Sequence, residues 1–384
     1  MTTATSLWRR LDPFQPLLAA MLVALGLMTV YSAHADWGRQ IVWLVLGAGA
    51  YMAASAFDYR RLRPVALGLY AGMILMLLAV HLVGHTALGA RRWLSVAGVP
   101  LEPSELSKLL LVVVLAAYLS RADRLSWRAF GGALLLAAPP AVLIVSQPDL
   151  GTTIVFGGVV FGLLFLAGAS AWQLFSLVFA GGVALPLLPY LLHGYQRRRL
   201  EIFLDPNQDP LGAGYNLLQA RIAVGAGGLF GQGWLHGLQG QLGFVPERAT
   251  DFVFAIFAEE FGLLGSLVLL AVFGTLLIRL LRTAAVAPDR FGELVAGGVF
   301  VMILVQLVEN VGMNIGLLPI AGIPLPLISY GGSATITTLA ALGLVQSVAL
   351  RRRAVAHGPA RAGRISTQDQ AIATLGTIDR RAQA

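Results

Sequence analysis

Four short groups of residues in this sequence carry the side chains best suited to chemistry. The first is Pro246-Glu247-Arg248-Ala249-Thr250-Asp251-Phe252, which ends where a strongly apolar run begins and is followed by Ala258-Glu259-Glu260. A carboxylate at such a boundary loses part of its hydration, and its pKa rises toward the range useful to a general base. Asp251 is that carboxylate, with Glu247 and Arg248 one helical turn away. Thr250 or Asp251 would equally suit the N-cap of the helix that follows, and spacing alone leaves cap and base open.

The second group is Arg91-Arg92-Trp93 with Glu102-Pro103-Ser104-Glu105-Leu106-Ser107-Lys108. Glu105 and Lys108 are one helical turn apart and share a face. Arg92 and Lys108 could form a cation fork for an anionic headgroup, or Glu105 and Lys108 a structural ion pair within a helix bundle. The third group is Gln147-Pro148-Asp149-Leu150-Gly151-Thr152, where Asp149 suits a turn or a helix cap. The fourth is Gln306, Asn310 and Asn314, one polar stripe on a helix beside Glu309. It runs into a Pro- and Gly-dense stretch from Pro319 to Ser333 that includes Ser329 and Tyr330. That density breaks a helix and predicts an ordered loop folded back against the mouth of a cavity.

Two weaker patterns are not assigned to function. His81 and His85 have the spacing of a metal pair but no third ligand nearby, and Gly228 to Gly233 lacks the strand and the Lys-Ser/Thr ending of a nucleotide loop.

The elements that must hold these groups are membrane spans. Of 384 residues, 57% are hydrophobic and only 12% charged, which argues against a soluble enzyme. The absence of cysteine excludes thiol nucleophiles, iron-sulfur clusters and thiolate zinc sites. Runs long enough for a bilayer core lie near residues 14 to 33, 38 to 57, 64 to 83, 104 to 120, 131 to 147, 151 to 168, 172 to 191, 252 to 278, 293 to 316 and 328 to 350. The expected fold is an all-α polytopic membrane protein of about ten transmembrane helices. Arginines cluster in alternate connections (Arg60, Arg61, Arg63; Arg121, Arg124, Arg128; Arg351, Arg352, Arg353), which places both termini in the cytoplasm and accounts for the net charge of +8 without nucleic acid. The first span reads as an uncleaved signal anchor.

A large extracytoplasmic loop, about 192–251, separates helices 7 and 8 and includes a re-entrant or interfacial helix between Tyr215 and Gly233. The stretch 1–353 forms a single membrane domain, and 354–384 reads as a disordered cytoplasmic tail. Gly68xxxGly72 and Gly158xxxGly162 suggest close helix packing.

In this order, the four groups resemble the SEDS family of bacterial cell-wall proteins over nearly the whole membrane region. The Pro246-Glu247-Arg248 group, with Ala258-Glu259-Glu260, is similar to the elongation-type (RodA-like) branch, while Ala249 departs from the His frequent in relatives. The resemblance implies a glycosyltransferase that polymerises lipid II on the outer face of the cytoplasmic membrane, with a class B penicillin-binding protein as partner. It implies Asp251 as the catalytic acidic residue and Glu105, Lys108 and Asp149 as residues needed for activity or for the cavity. Inversion at the anomeric centre needs one displacement and one base, for which Asp251 is the expectation. Arg92, Lys108 or Arg248 would stabilise the departing pyrophosphate, with or without a divalent cation, Mg or Mn, which Asp251 could hold. Membrane lipids are expected as surroundings, and no organic cofactor or nucleic acid as ligand. A division-type (FtsW-like) polymerase, a lipid II flippase or other transporter, and a noncatalytic scaffold are the alternatives. A transporter would line a path through the membrane with polar groups, and here they gather at one mouth.

Overall fold

The computed structural model describes residues 12–87, 90–96, 99–121, 125–184, 194–205, 209 and 212–356. Its membrane body consists of helices α1 (Phe14–Ser32), α2 (Trp37–Ala56), α3 (Leu62–Val83), α4 (Pro103–Leu119), α5 (Trp127–Ser146), α6 (Leu150–Leu166), α7 (Ala171–Ala184), α11 (Val253–Ala285), α12 (Arg290–Asn314) and α13 (Gly332–Ala356). Between α7 and α11 lie α8 (Gly194–Leu204), α9 (Ala213–Ala226) and the short α10 (Leu238–Gln241). Among the described residues six helical segments are long and apolar enough to cross a membrane: α1, α3 with the 3-10 turn before it, α5, α11, α12 and α13. The helices α6 and α7 are apolar but shorter, and α2 and α4 stand where the sequence places spans two and four. This is a multi-pass membrane protein. The end of the seventh expected span and most of the expected tail fall outside the described residues, and α13 continues through Arg351 to Ala356.

A helix buried along most of its length sits at the centre of a bundle, and α12 is such a helix. It buries Leu294, Val295, Val299, Met302 and Ile303 against α4, α6, α11 and α13. Around it, α13 lies along α2, α3 along α4, and α1 along α11. Gly158 and Gly162 let α6 press against Val305 and Val301 of α12, whereas Gly68 and Gly72 face open space, so only one of the two small-residue pairs is a helix contact.

Outside the helical body stands an antiparallel sheet that the sequence reading does not anticipate: β1 (His85–Ala87), β2 (Ala90–Val96) and β3 (Val99–Leu101), in that spatial order. Thr86 pairs with Arg91, and Leu94 with Leu101. Two dipeptides ending in Gly89 and Gly98 separate strand-forming residues, a hairpin signal that the apolar spans overshadow. The sheet matters because β2 carries Arg92 and Trp93.

The long helix α11 is broken at Gly262, whose φ of 65° lies outside the helical region. A break frees backbone groups that hydrocarbon cannot satisfy. Here the Gly-rich segment after α9 satisfies them. Leu263 and Leu264 donate to the carbonyls of Gly228 and Leu229, at 2.9 and 3.1 Å, and the carbonyls of Glu259 and Glu260 accept from Gln232 and Gly233, at 2.9 and 3.0 Å. The segment expected as a re-entrant or interfacial helix is α9 with this extension, docked on α11 and α12 through Leu217, Ala220 and Ala223.

Candidate active site

Asp251 sits one residue before Phe252, and Phe252 is buried in a cluster with Val245, Ile256, Met313 and Ile320. Anchoring one side chain inward leaves its neighbour free to face the other way. The preceding turn helps, because Glu247 adopts a left-handed φ of 51° and its carbonyl accepts from both Thr250 and Phe252. Asp251 thereby reaches the wall of a cavity of about 510 Å³. The cavity is lined also by Arg92, Trp93 and Glu102 from the sheet and the start of α4, Arg199 from α8, Glu247, Thr250, Gly322 and Tyr330 from the stretch before α13, and Ser333 from the start of α13.

Neither Thr250 nor Asp251 caps α11. The N-cap position is Phe252, without a side-chain cap bond. The Ala255 amide is shared between the Phe252 carbonyl, at 3.1 Å, and an acceptor from another helix, Asn314 Oδ1, also at 3.1 Å. Asn310 and Asn314 also donate to the Asp251 carbonyl, at 2.9 and 3.1 Å, and Asn310 donates to Ile323 at 2.8 Å. The polar stripe on α12 thus grips the backbone beneath Asp251 and leaves the carboxylate to the cavity. The loop from Pro319 to Ser333 folds back as expected. Ser329 Oγ donates to the Thr250 carbonyl at 2.6 Å and accepts from Leu325, and the Tyr330 amide donates to Ala249 at 2.8 Å.

Burial pushes the Asp251 carboxyl up to about 6; Arg199 opposes the shift, Glu247 adds to it, Arg92 opposes it and Asp149 adds a little. Glu102, at the start of α4, is pushed up to about 8 by burial and by the neighbouring carboxylates of Glu105 and Asp149, against Arg92 and Lys108. Its amide donates to Ser333 Oγ at 2.9 Å, which ties the start of α4 to the start of α13.

The other expected residues sit behind or beside the cavity. Lys108 and Glu105 form an ion pair at 2.7 Å, with Lys108 only 1% exposed. Asp149 caps α6 by accepting from Thr152 at 3.1 Å and lies 3.6 Å from Arg92 Nη1. Arg92 donates in addition to the Pro148 carbonyl at 2.6 Å, so the sheet and the start of α6 are bound together at the cavity rim. Arg248 turns away, donating to the carbonyls of Ala33 and Gly240 at 2.8 and 2.7 Å. Its task is to hold the loop against the end of α1. Glu259 and Glu260 secure the same loop. Glu259 accepts from the amides of Gln239 and Gly240, and Glu260 accepts from Ser32 and the amide of Leu235.

Two charged lining residues, Glu102 and Arg199, carry no role in the sequence reading. Arg199 lies between two exposed pairs, Arg197 with Glu201 and Arg198 with Asp209, in a run that reads as solvated charge. Helical spacing holds the missed signal: Arg199 is three residues from buried Gln196 and three from buried Ile202, so it shares their inward face. Its Nη1 donates to the Ile320 carbonyl at 3.0 Å.

Among the described residues no three His, Asp or Glu side chains come close enough to hold a metal ion. His81 bonds to Ser146 at 2.8 Å, and the side chain of His85 lies outside the described residues. The cavity combines one desolvated carboxylate, a second carboxyl of raised pKa and two arginines, a set suited to moving a proton while holding an anionic substrate.

The family model described as a cell cycle protein, FtsW/RodA/SpoVE, matches residues 15–354. The peptidoglycan glycosyltransferase MrdB of Escherichia coli K12 is 41% identical over 350 residues, covering 89% of this chain and 94% of the relative. A solved chain from work on the structural coordination of polymerization and crosslinking by a peptidoglycan synthase complex superposes with a TM-score of 0.79 at 36% identity, covering 89% of this chain and 98% of the other. The rod shape determining protein RodA of Thermus thermophilus superposes with a TM-score of 0.69 at 33% identity, covering 89% and 97%. With the Asp251 group, the buried Glu105–Lys108 pair and the folded-back loop before α13 arranged around one cavity, this chain belongs to the FtsW/RodA/SpoVE family of cell cycle proteins.

Proposed function

We propose that this chain, a peptidoglycan glycosyltransferase by its kinship, polymerises lipid II into glycan strands during cell elongation, with Asp251 as the base. The observation that carries the reading is the Asp251 carboxylate, released from helix capping by Asn314 and set in the wall of a mixed polar and apolar cavity. The acceptor's 4-hydroxyl attacks the anomeric carbon of the lipid-linked donor. The new glycosidic bond forms as the bond to the pyrophosphate breaks, the electron pair leaves with the pyrophosphate, and the hydroxyl proton passes to Asp251. A carboxyl titrating near 6 is ionised at neutral pH and still basic enough to take that proton. One displacement inverts the centre, so no covalent sugar intermediate is needed.

In this reading α1 to α7 and α11 to α13 are ten spans in the bacterial cytoplasmic membrane. The arginine-rich end, where Arg60 meets Asp289 and Arg351 meets Asp58, faces the cytoplasm, and the cavity opens on the other side. Lipid tails stay in the bilayer beside the bundle while the headgroup occupies the cavity. Asp251 and Glu247 offer too few protein ligands to hold a cation by themselves. Mg or Mn would rest there chiefly on substrate oxygens, as Mg commonly does on phosphates. The partner is a class B penicillin-binding protein that crosslinks the product.

The test is polymerisation of purified lipid II by the protein with its cognate transpeptidase, comparing wild type with Asp251→Ala at matched folded yield. Polymer from wild type alone supports the reading, and polymer from both variants removes Asp251 as the base. No polymer from either intact complex moves the assignment to a transporter or a scaffold.

A further inference from the structure

Between α1 and α2 the apolar side chains line a groove instead of a closed seam. Pro16, Ala20 and Leu27 recur at spacings of four and seven along α1, and Ile41, Ala48 and Tyr51 at spacings of seven and three along α2, so each set lies on one helix face. The two faces bound an apolar space of about 410 Å³. Each helix has its main neighbour elsewhere, α1 in α11 and α2 in α13. Leu339 of α13 forms the floor, where Gly47 lets α2 come close, and Gln15 fastens α1 to the same helix by donating to the Leu342 carbonyl at 2.7 Å.

Length and depth say what fills it. From Pro16 to Leu27 the groove follows about 16 Å of α1, at 1.5 Å per residue, which is about half of a 30 Å hydrocarbon core and suits a single acyl chain. An empty apolar gap forfeits its dispersion contacts, and inside a bilayer the material at hand is hydrocarbon. The polar mark of the groove is at one end. Tyr51 Oη is buried without a hydrogen-bond partner among the described residues. Asp12, just before α1, acts on it electrostatically, and Asp12 meets Arg279 at 3.4 Å. The hydroxyl therefore stands toward the arginine-rich end of the bundle, near the level where hydrocarbon gives way to headgroups and a side chain with an apolar body and a polar tip finds acceptors.

We propose that this groove binds a phospholipid of the leaflet at the arginine-rich end, with one acyl chain lying between α1 and α2 and its ester carbonyl accepting a hydrogen bond from Tyr51. The inference stands apart from the glycosyl-transfer reading. A polyprenyl chain hanging from a headgroup in the Asp251 cavity would enter from the opposite end and would bring no carbonyl to Tyr51. The bound lipid supplies packing that α1 lacks on this side. The far end of α1 holds the loop that leads to Asp251: Ser32 donates to Glu260, and the carbonyls of Met28 and Ala33 accept from Trp234 and Arg248, at 3.2 and 2.8 Å. A lipid in the groove thus braces the helix to which that loop is fastened.

The experiment titrates the full chain, delipidated in detergent, with diacyl phosphatidylglycerol, and counts bound lipid by native mass spectrometry. Ala48→Phe fills the groove from an exposed position, and Leu67→Phe enlarges an exposed side chain on α3 outside it. Wild type and Leu67→Phe should each hold one phospholipid more than Ala48→Phe. Tyr51→Phe should bind about twofold to tenfold more weakly than wild type, the range of one hydrogen bond. A dialkyl ether phosphatidylglycerol, which has no ester carbonyl, should bind wild type more weakly by the same factor and should bind Tyr51→Phe as well as the ester lipid does.

Equal lipid counts in wild type and Ala48→Phe would overturn the site, and equal affinity of wild type for ester and ether lipids would overturn the contact at Tyr51. Displacement of the phospholipid from wild type by a polyprenyl phosphate at equal concentration would also overturn the proposal and assign the groove to a polyprenyl tail. If Ala48→Phe does not fold, Ala20→Phe fills the groove from the other wall and decides by the same counts.

Discussion

Asn314 holds Asp251 from behind. Its Nδ2 donates to the Asp251 carbonyl at 3.1 Å while its Oδ1 accepts from the Ala255 amide at 3.1 Å. One buried amide side chain on α12 thus closes the first turn of α11 and fixes the residue just before it. A cap supplied by the chain itself would have drawn on Thr250 or Asp251, the side chains nearest the helix start. Supplying the cap from a neighbouring helix keeps the carboxylate in the cavity.

Replacing Asn314 by Ala should leave the Ala255 amide to the Phe252 carbonyl and the Asp251 carbonyl to Asn310, and cost about 1 kcal/mol of stability. Polymerisation per folded molecule should fall as well, since Asp251 loses one of its two backbone anchors. A thermal denaturation midpoint and a lipid II assay on the same preparation measure both. An unchanged midpoint would contradict the cap.

The pH dependence follows from the Asp251 carboxyl. Its value of about 6 is raised above the ordinary 3.8, and the base is the ionised form. On this account activity should be level between pH 6 and about 8 and fall about tenfold for each pH unit below 6, as a single ionisation requires. The same shift has the opposite sign for stability. Ionised Asp251 destabilises the fold at neutral pH, and this cost is relieved as pH falls from 6 toward 3.8. Asp251→Asn should therefore abolish polymer at pH 7.5 and raise the unfolding midpoint.

Glu102 predicts the alkaline side. Raised to about 8, it is mostly neutral at pH 7 and adds a negative charge to the cavity wall above that value. Wild-type activity should decline as pH rises through about 8, because the new charge opposes an anionic substrate. Glu102→Gln should match wild type at pH 7 and lose that decline. A pH-rate series from 6 to 9.5 on both proteins checks it.

For the buried pair, removing one partner leaves an uncompensated charge inside the bundle, a change that costs about 3 to 5 kcal/mol. Glu105→Leu and Lys108→Met should each reduce folded yield sharply. If the two charges serve each other and not the substrate, the double variant should recover yield, and with it polymerisation. Detergent-stable yield and polymer per molecule are the readouts. Recovered yield without recovered polymer would give the pair a part in the chemistry.

The legible parts of this molecule are those governed by strong local terms. Burial of some twenty apolar residues places a span with little help from its neighbours, which is why the helices stand where hydropathy puts them. Asp251 was legible for a related reason: a carboxylate at the edge of an apolar run is conspicuous whatever surrounds it. The polar stripe of Asn310 and Asn314 was visible as a face, but its purpose was not, since that depends on a carbonyl some sixty residues away in sequence. Lys108 and Arg248 looked equivalent to Arg92 as cations. Only tertiary contacts show that one is sealed by Glu105 and the other drawn off to Ala33 and Gly240. Arg199 was hidden by Arg197 and Arg198, whose surface pairs make the whole run look solvated.

The break at Gly262 also dictates how this protein must be assembled. Four backbone groups at the break, the amides of Leu263 and Leu264 and the carbonyls of Glu259 and Glu260, find partners in residues 228 to 233. In hydrocarbon each unmatched group costs several kcal/mol, so α11 cannot settle as a finished span and wait for its companion. Residues 228 to 233 precede α11 in the chain and leave the ribosome first. They must remain close to the membrane until the two halves of the span arrive, and the plug and the span then lock in a single step.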